Sequence, residues 1–179
     1  MITRTGIVAA GVLALAGQAL GGVSAQAYAV NLNGTSLYSW GIDSPGTTSF
    51  IGNVTGLPSG ESIRGTDFRP VTGQLYGLSN AGKLYVIDTG TGAATAVGGT
   101  GATLSGDFNG FDFNPTVDRI RVTSSSTQNL RMHPTTGNVV ATDGNLAFAN
   151  GDSPFVVASA YTNNFAGSTS TTLYNLDSR

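Results

Sequence analysis

The chain has 179 residues, room for one domain and too little for a separate catalytic domain beside it. Only 10% of the residues are charged and the formal net charge is −2, with no basic cluster to hold a phosphate backbone, so nucleic acid is not an expected partner. The absence of cysteine excludes disulfides, thiolate catalysis and Cys-based zinc or iron–sulfur sites, while 26 glycines among abundant Ser, Thr and Asn disfavour helix and point to a turn-rich, all-β chain.

Residues 1–25 read as a signal peptide. Arg4 supplies a short positive segment, Ile7 to Leu20 is an uncharged stretch rich in Ala, Val, Leu and Gly, and Val23-Ser24-Ala25 places small residues at a cleavage spacing. The apolar run is shorter than the roughly 20 residues of a membrane span. Cleavage after Ala25 is expected, with Ala25-Gln26-Ala27 allowing a cut two residues later. The mature chain, residues 26–179, is expected to be secreted, extracellular or periplasmic, and free of the membrane.

The next elements follow from turn chemistry. Ala27 to Leu32 and Thr35 to Trp40 flank Asn33-Gly34, a strong hairpin signal because both turn residues accept positive φ. Further on, a strand ends at Phe68, Pro70-Val71-Thr72-Gly73 turns, and strands are expected at Gln74–Leu78, Lys83–Asp88 and Ala93–Val97, separated by Ser79-Asn80-Ala81-Gly82 and Thr89-Gly90-Thr91-Gly92. Leu84 and Val86 then point to one face and Tyr85 and Ile87 to the other, so this sheet is covered on both sides. The pattern repeats. Gly65-Thr66-Asp67-Phe68-Arg69-Pro70 returns 45 residues later as Gly110-Phe111-Asp112-Phe113-Asn114-Pro115, and Leu84-Tyr85-Val86-Ile87-Asp88-Thr89 returns as Leu130-Arg131-Met132-His133-Pro134-Thr135. Leu37 and Leu173 extend this leucine series at both ends, placing Leu173 in the third strand of its unit. The units run over about 26–57, 58–101, 102–147 and 148–179, with three strands expected in the first, four in each of the next two and about three in the last.

Four-stranded antiparallel units repeating every 45 residues or so predict a β-propeller-like array, with a β-sandwich as the alternative. The count leaves the ring incomplete. A reading frame truncated at the C-terminus is expected, strands supplied by another chain being the alternative, and an open edge strand would invite self-association.

The set Gly65-Thr66-Asp67-Phe68-Arg69-Pro70 with Leu75-Tyr76-Gly77-Leu78, Phe111-Asp112-Phe113-Asn114-Pro115 with Asp118-Arg119-Ile120-Arg121-Val122, and Ala160-Tyr161-Thr162-Asn163-Asn164 with Thr172-Leu173-Tyr174 resembles the bacterial domain of unknown function 4394 family, from about Leu37 to Arg179. The resemblance implies a secreted or surface protein with propeller-like repeats, and a domain that extends beyond Arg179. It carries over no catalytic or binding residue.

Candidate chemistry is sparse. His133 is the sole histidine and stands at a strand end, where a structural role is expected rather than a triad or zinc site. Asp107, Asn109, Asp112, Asn114 and Asp118 form the richest run of oxygen ligands and are the candidate calcium site, although Asp112 stands where the EF-hand loop needs Gly and Asp118 where it needs Glu; Asx turns are the competing reading, and Asp67 and Asp112 in equivalent places favour it. Gly98-Gly99-Thr100-Gly101 lacks the Lys and helix of a phosphate loop. Tyr38, Tyr85, Tyr161 and Tyr174 are the aromatics available to stack on sugars, with packing between sheets as the competing role. The expected function is a non-enzymatic scaffold or binding module with an extracellular protein or glycan partner and no resident cofactor. The alternative is a secreted hydrolase or lyase using Asp107, Asp112 or Asp118 as acid or base, which a buried acid pair or a polar cluster lined up in a central channel would favour.

Overall fold

A computed structural model describes residues 14–16 and 25–179; the rest of the expected signal peptide lies outside the described residues. The described chain is all-β, with no helix, and every strand pairing is antiparallel. The first sheet takes β1 (Ala14–Ala16), β2 (Gln26–Val30), β3 (Ser36–Gly41) and β4 (Ser49–Asn53) in that order. The second takes β5 (Ile63–Phe68), β6 (Leu75–Ser79), β7 (Leu84–Ile87) and β8 (Ala94–Val97), all within a residue of the positions expected where the turns bounded them. The third takes β9 (Asn109–Asn114), β10 (Arg119–Ser124), β11 (Asn129–Met132) and β12 (Val139–Thr142), and the fourth is the hairpin of β13 (Val156–Tyr161) and β14 (Leu173–Asp177).

Residues 26–57 hold the three strands expected of the first unit, and Ala14–Ala16, within the expected signal peptide, adds a fourth by pairing with β2 in the register Ala14↔Tyr28. One strand count is corrected. The last unit has two rather than about three, and Leu173 lies in its second strand, not its third: β14 pairs directly with β13, Tyr161 opposite Leu173. An apolar residue followed by Tyr marks second strands (Leu75-Tyr76) as well as third strands (Leu84-Tyr85), so spacing alone could not tell the two positions apart.

The sheets stack in series. β5 lies against β1 on one side and β9 on the other, and β9 lies against β13. Alternation across the second sheet feeds two separate cores, as expected from its sequence. Tyr85 and Ile87 join Val30, Leu37, Ile63, Phe68 and Leu75 toward the first sheet. Leu84, Tyr76 and Leu78 join Phe111, Phe113, Ile120, Val122, Leu130 and Met132 toward the third.

One backbone joint recurs at the unit boundaries. The turn between second and third strands places a left-handed residue, Gly34 (φ 67°), Gly82 (φ 73°) or Thr127 (φ 68°), whose carbonyl accepts an N–H from the chain entering the next unit. The donors are Ile63 at 3.0 Å, Ala102 at 2.9 Å and Leu146 at 2.9 Å. The Asn33-Gly34 turn is therefore also an anchor for β5, and a Cβ on Gly34 would stand 2.0 Å from the Ile63 carbonyl oxygen.

Candidate functional site

The repeated Gly-x-Asp-Phe segment has a physical explanation. Residues two apart share a face of a strand, so Gly65 and Asp67 on β5 both face β9, and Gly110 and Asp112 on β9 both face β13. The glycine admits the next strand: a Cβ on Gly65 would stand 2.7 Å from the Phe111 Cβ, and one on Gly110 would stand 2.0 Å from the Ser159 Oγ. The aspartate then accepts a backbone N–H from that strand, Asp67 from Phe113 at 2.8 Å and Asp112 from Tyr161 at 2.7 Å. Asp67 also accepts the N–H of Phe68 at 2.8 Å.

These two acids lie side by side and are 1% and 2% exposed. Burial, followed by the charge of Asp67, pushes the Asp112 carboxyl up to about 9. Burial also raises Asp67, to about 6, but hydrogen bonds from Phe113, Asp112, Phe68 and Asn164 hold it below its neighbour. Burial and mutual repulsion therefore favour a proton retained on the pair. The equivalence of the two positions was visible in the sequence; their contact was not. The Asx-turn reading is corrected for this pair, because each carboxylate caps an amide of the next sheet.

The five oxygen residues of the candidate calcium site do not converge. Asp118 is ion-paired with Arg69, the Arg69 Nε lying 2.9 Å from its carboxylate. Asn114 accepts from Thr116 N–H and Oγ1 in an Asx turn, as the competing reading expected. Asp112 turns to Asp67, Asn109 gives its Nδ2 to the Thr123 carbonyl, and the Asp107 side chain is exposed in the loop before β9. Among the described residues no three His, Cys, Asp or Glu side chains are grouped to hold a metal ion. His133 ends in a turn, its Nδ1 2.9 Å from the Thr135 Oγ1. Of the tyrosines, Tyr85 is buried and donates to the Glu61 carboxylate at 2.8 Å, Tyr161 meets Arg121, Tyr38 packs on Phe50, and Tyr174 is 64% exposed on β14. Burial pushes Glu61 up, yet hydrogen bonds from Lys83, Tyr85 and Ser79 outweigh it and hold the carboxyl below its ordinary value.

A cavity of about 300 Å³ opens where the first strands begin, between the Asn31–Gly34 turn, the start of β5, the start of β9 and Val157 of β13. Its charged groups are Arg64 and Asp107. The Arg64 Nη1 donates to the carbonyls of Gly106 and Asp107, both at 3.3 Å, tying the loop before β9 to β5. Asn109 is the most deeply buried polar lining residue, and its Oδ1 has no hydrogen-bond partner. An acceptor left so costs roughly 1–3 kcal/mol. Sequence spacing signalled nothing here, because the lining comes from four separate units.

The fold and these joints define an all-β repeat protein built from serially stacked antiparallel sheets. Residues 35–179 match the family described as domain of unknown function (DUF4394), and the chain belongs to that family. A search of curated proteins finds no match. Among solved structures the chain is similar to BamB from Moraxella catarrhalis, at 13% identity and a TM-score of 0.52, over 95% of this chain and 47% of that one. It thus spans about half the length of that β-propeller-like neighbour, and the likeness is one of fold.

Proposed function

We propose that the protein is a secreted or cell-surface β-propeller-like module that serves as a scaffold or binding domain and turns over no substrate. One observation carries this reading: the acids brought together by the repeat, Asp67 and Asp112, are buried, bonded to backbone amides of the following sheets and absent from the cavity lining. A buried acid pair is what the catalytic alternative called for, but a general acid must reach its substrate, and at 1% and 2% exposure, with backbone N–H groups bonded to both carboxyls, this pair supports a structural role better. The propeller-like reading is supported by sheets stacked face to face with their first strands adjacent. Export is supported by Arg4, the Ile7–Leu20 run and Val23-Ser24-Ala25. The partner is an extracellular protein or glycan, and the β14 edge, with Tyr174 and Leu176 exposed, suits self-association through strand pairing.

The hydrolase or lyase alternative uses Asp107, Asp112 or Asp118 as acid or base; the Arg69 ion pair disfavours Asp118 and burial disfavours Asp112, which leaves the exposed Asp107 as its candidate. Incubating the full chain with a panel of polysaccharides and esters tests the choice. No product above background is expected. Turnover that Asp107→Asn, Asp112→Asn or Asp118→Asn abolishes in a folded protein would overturn the non-catalytic reading.

A further inference from the structure

We propose that the cavity at the starts of β5, β9 and β13 binds a neutral, hydroxyl-rich ligand: a carbohydrate of one or two sugar rings. This rests on the reading of the chain as a binding module and names the ligand class of its site.

The chemistry of the lining selects the ligand. Arg64 and Asp107 are the charged groups, of opposite sign, so the cavity has no net charge with which to prefer an anion or a cation. Donors and acceptors are interspersed. Arg64 keeps its Nε and Nη2 beyond the two loop carbonyls, and the exposed Asn33 amide and the Asp107 carboxylate make no hydrogen bond. A hydroxyl both donates and accepts, so a polyol can answer such a mixture where a group of one polarity cannot. The remaining lining suits the C–H faces of a sugar ring. Phe108 is 42% exposed while its ring is held edge-on to Phe155 at 6.0 Å, and Leu32 and Val157 add apolar surface. A volume of about 300 Å³ is at the small end for ligand cavities and limits the occupant to one or two rings.

The test titrates the full chain, by calorimetry and ligand-observed NMR, with glucose, galactose, mannose, N-acetylglucosamine, maltose, cellobiose and xylobiose, and with sulfate and tetramethylammonium as charged controls. At least one sugar is expected to bind in the millimolar range or tighter, and neither ion. Asn33→Ala, Asp107→Ala and Phe108→Ala change exposed side chains, so each is expected to melt as the parent does while weakening that sugar by about tenfold. A folded parent that binds none of the seven sugars overturns the proposal, as does binding that all three variants leave unchanged, or an ion that displaces the sugar. Failure of the sugar titration leaves the non-catalytic scaffold reading standing. Binding followed by turnover overturns that reading and leaves the site in place.

Discussion

The second and third sheets meet through hydrocarbon, whereas the third sheet and the β13–β14 hairpin meet through polar groups. In the first contact Tyr76, Leu78 and Leu84 face Phe111, Phe113, Ile120 and Val122, with the Tyr76 and Phe113 rings edge to face at 5.1 Å. In the second, the opposite face of the third sheet presents Asp112, Arg121 and Thr123. Thr123 Oγ1 lies 2.7 Å from Ser159 Oγ, and Arg121 Nε lies 3.3 Å from the Tyr161 hydroxyl. The same Gly-x-Asp segment closes both contacts, so the backbone joint does not depend on what fills the space beside it. Apolar burial contributes about 25 cal/mol per Å², while a neutral hydrogen bond nets only about 1 kcal/mol. The polar contact therefore orients the hairpin more than it stabilises it, and the hairpin opens first.

Truncation within the apolar contact has the largest expected effect. Phe113→Ala removes a fully buried ring and should lower unfolding free energy by about 3–5 kcal/mol in urea titration; a loss near 1 kcal/mol would erase the contrast. Asp67→Asn is next. The amide nitrogen would face a backbone N–H that the carboxylate now accepts, and a loss of about 2–3 kcal/mol is expected by the same measurement. The pair also sets a pH dependence. Both folded-state values lie above the ordinary 3.8, so the native protein binds more protons than the unfolded chain, and stability falls as pH rises from about 4 toward 9. Below about 4 the carboxylates held low, Glu61 and Asp143, take up protons and stability falls again. Melting temperatures from pH 3 to 9 should peak near 4 to 5. Asp112→Asn keeps an acceptor for the Tyr161 N–H and removes the acid, so it should remain folded and flatten the decline above pH 6. A parent with a flat profile there would show that the pair carries no retained proton. Ser159→Ala, on the polar side, should cost about 1 kcal/mol and speed amide hydrogen exchange in β13 before any in β7.

What was legible in the sequence was local. Gly34, Gly82, Gly92 and Gly137 announce their turns because they sit at positive φ, which Asn33 does not, and the alternation in Leu84–Ile87 announces a sheet buried on both faces. The polar face of the third sheet was also written there, since Arg121 and Arg131 take the places of Tyr76 and Val86; the pairing of Leu84 with Leu130 is corrected by the register, which makes Leu130 and Met132 the counterparts of Tyr85 and Ile87. Leu173 was misplaced because both hairpin strands of a unit carry the same apolar–Tyr signature and residues 162–172 replace a short turn. The acid pair was half legible. Recurrence of Asp67 as Asp112 showed a structural role, but that role depends on the next sheet, which no spacing within one unit encodes. The cavity was not legible, since Asn33, Arg64, Asp107 and Val157 are brought together only by stacking.

The joints at Gly34, Gly82 and Thr127 use main-chain atoms alone on both sides, a carbonyl and an amide that every residue but proline can supply. A duplicated unit can therefore drift far in side-chain composition and still dock onto its predecessor. That makes these sheets interchangeable parts, and it accounts for a repeat in which the turn backbone persists while Gly34 and Gly82 have given way to a threonine in the third copy.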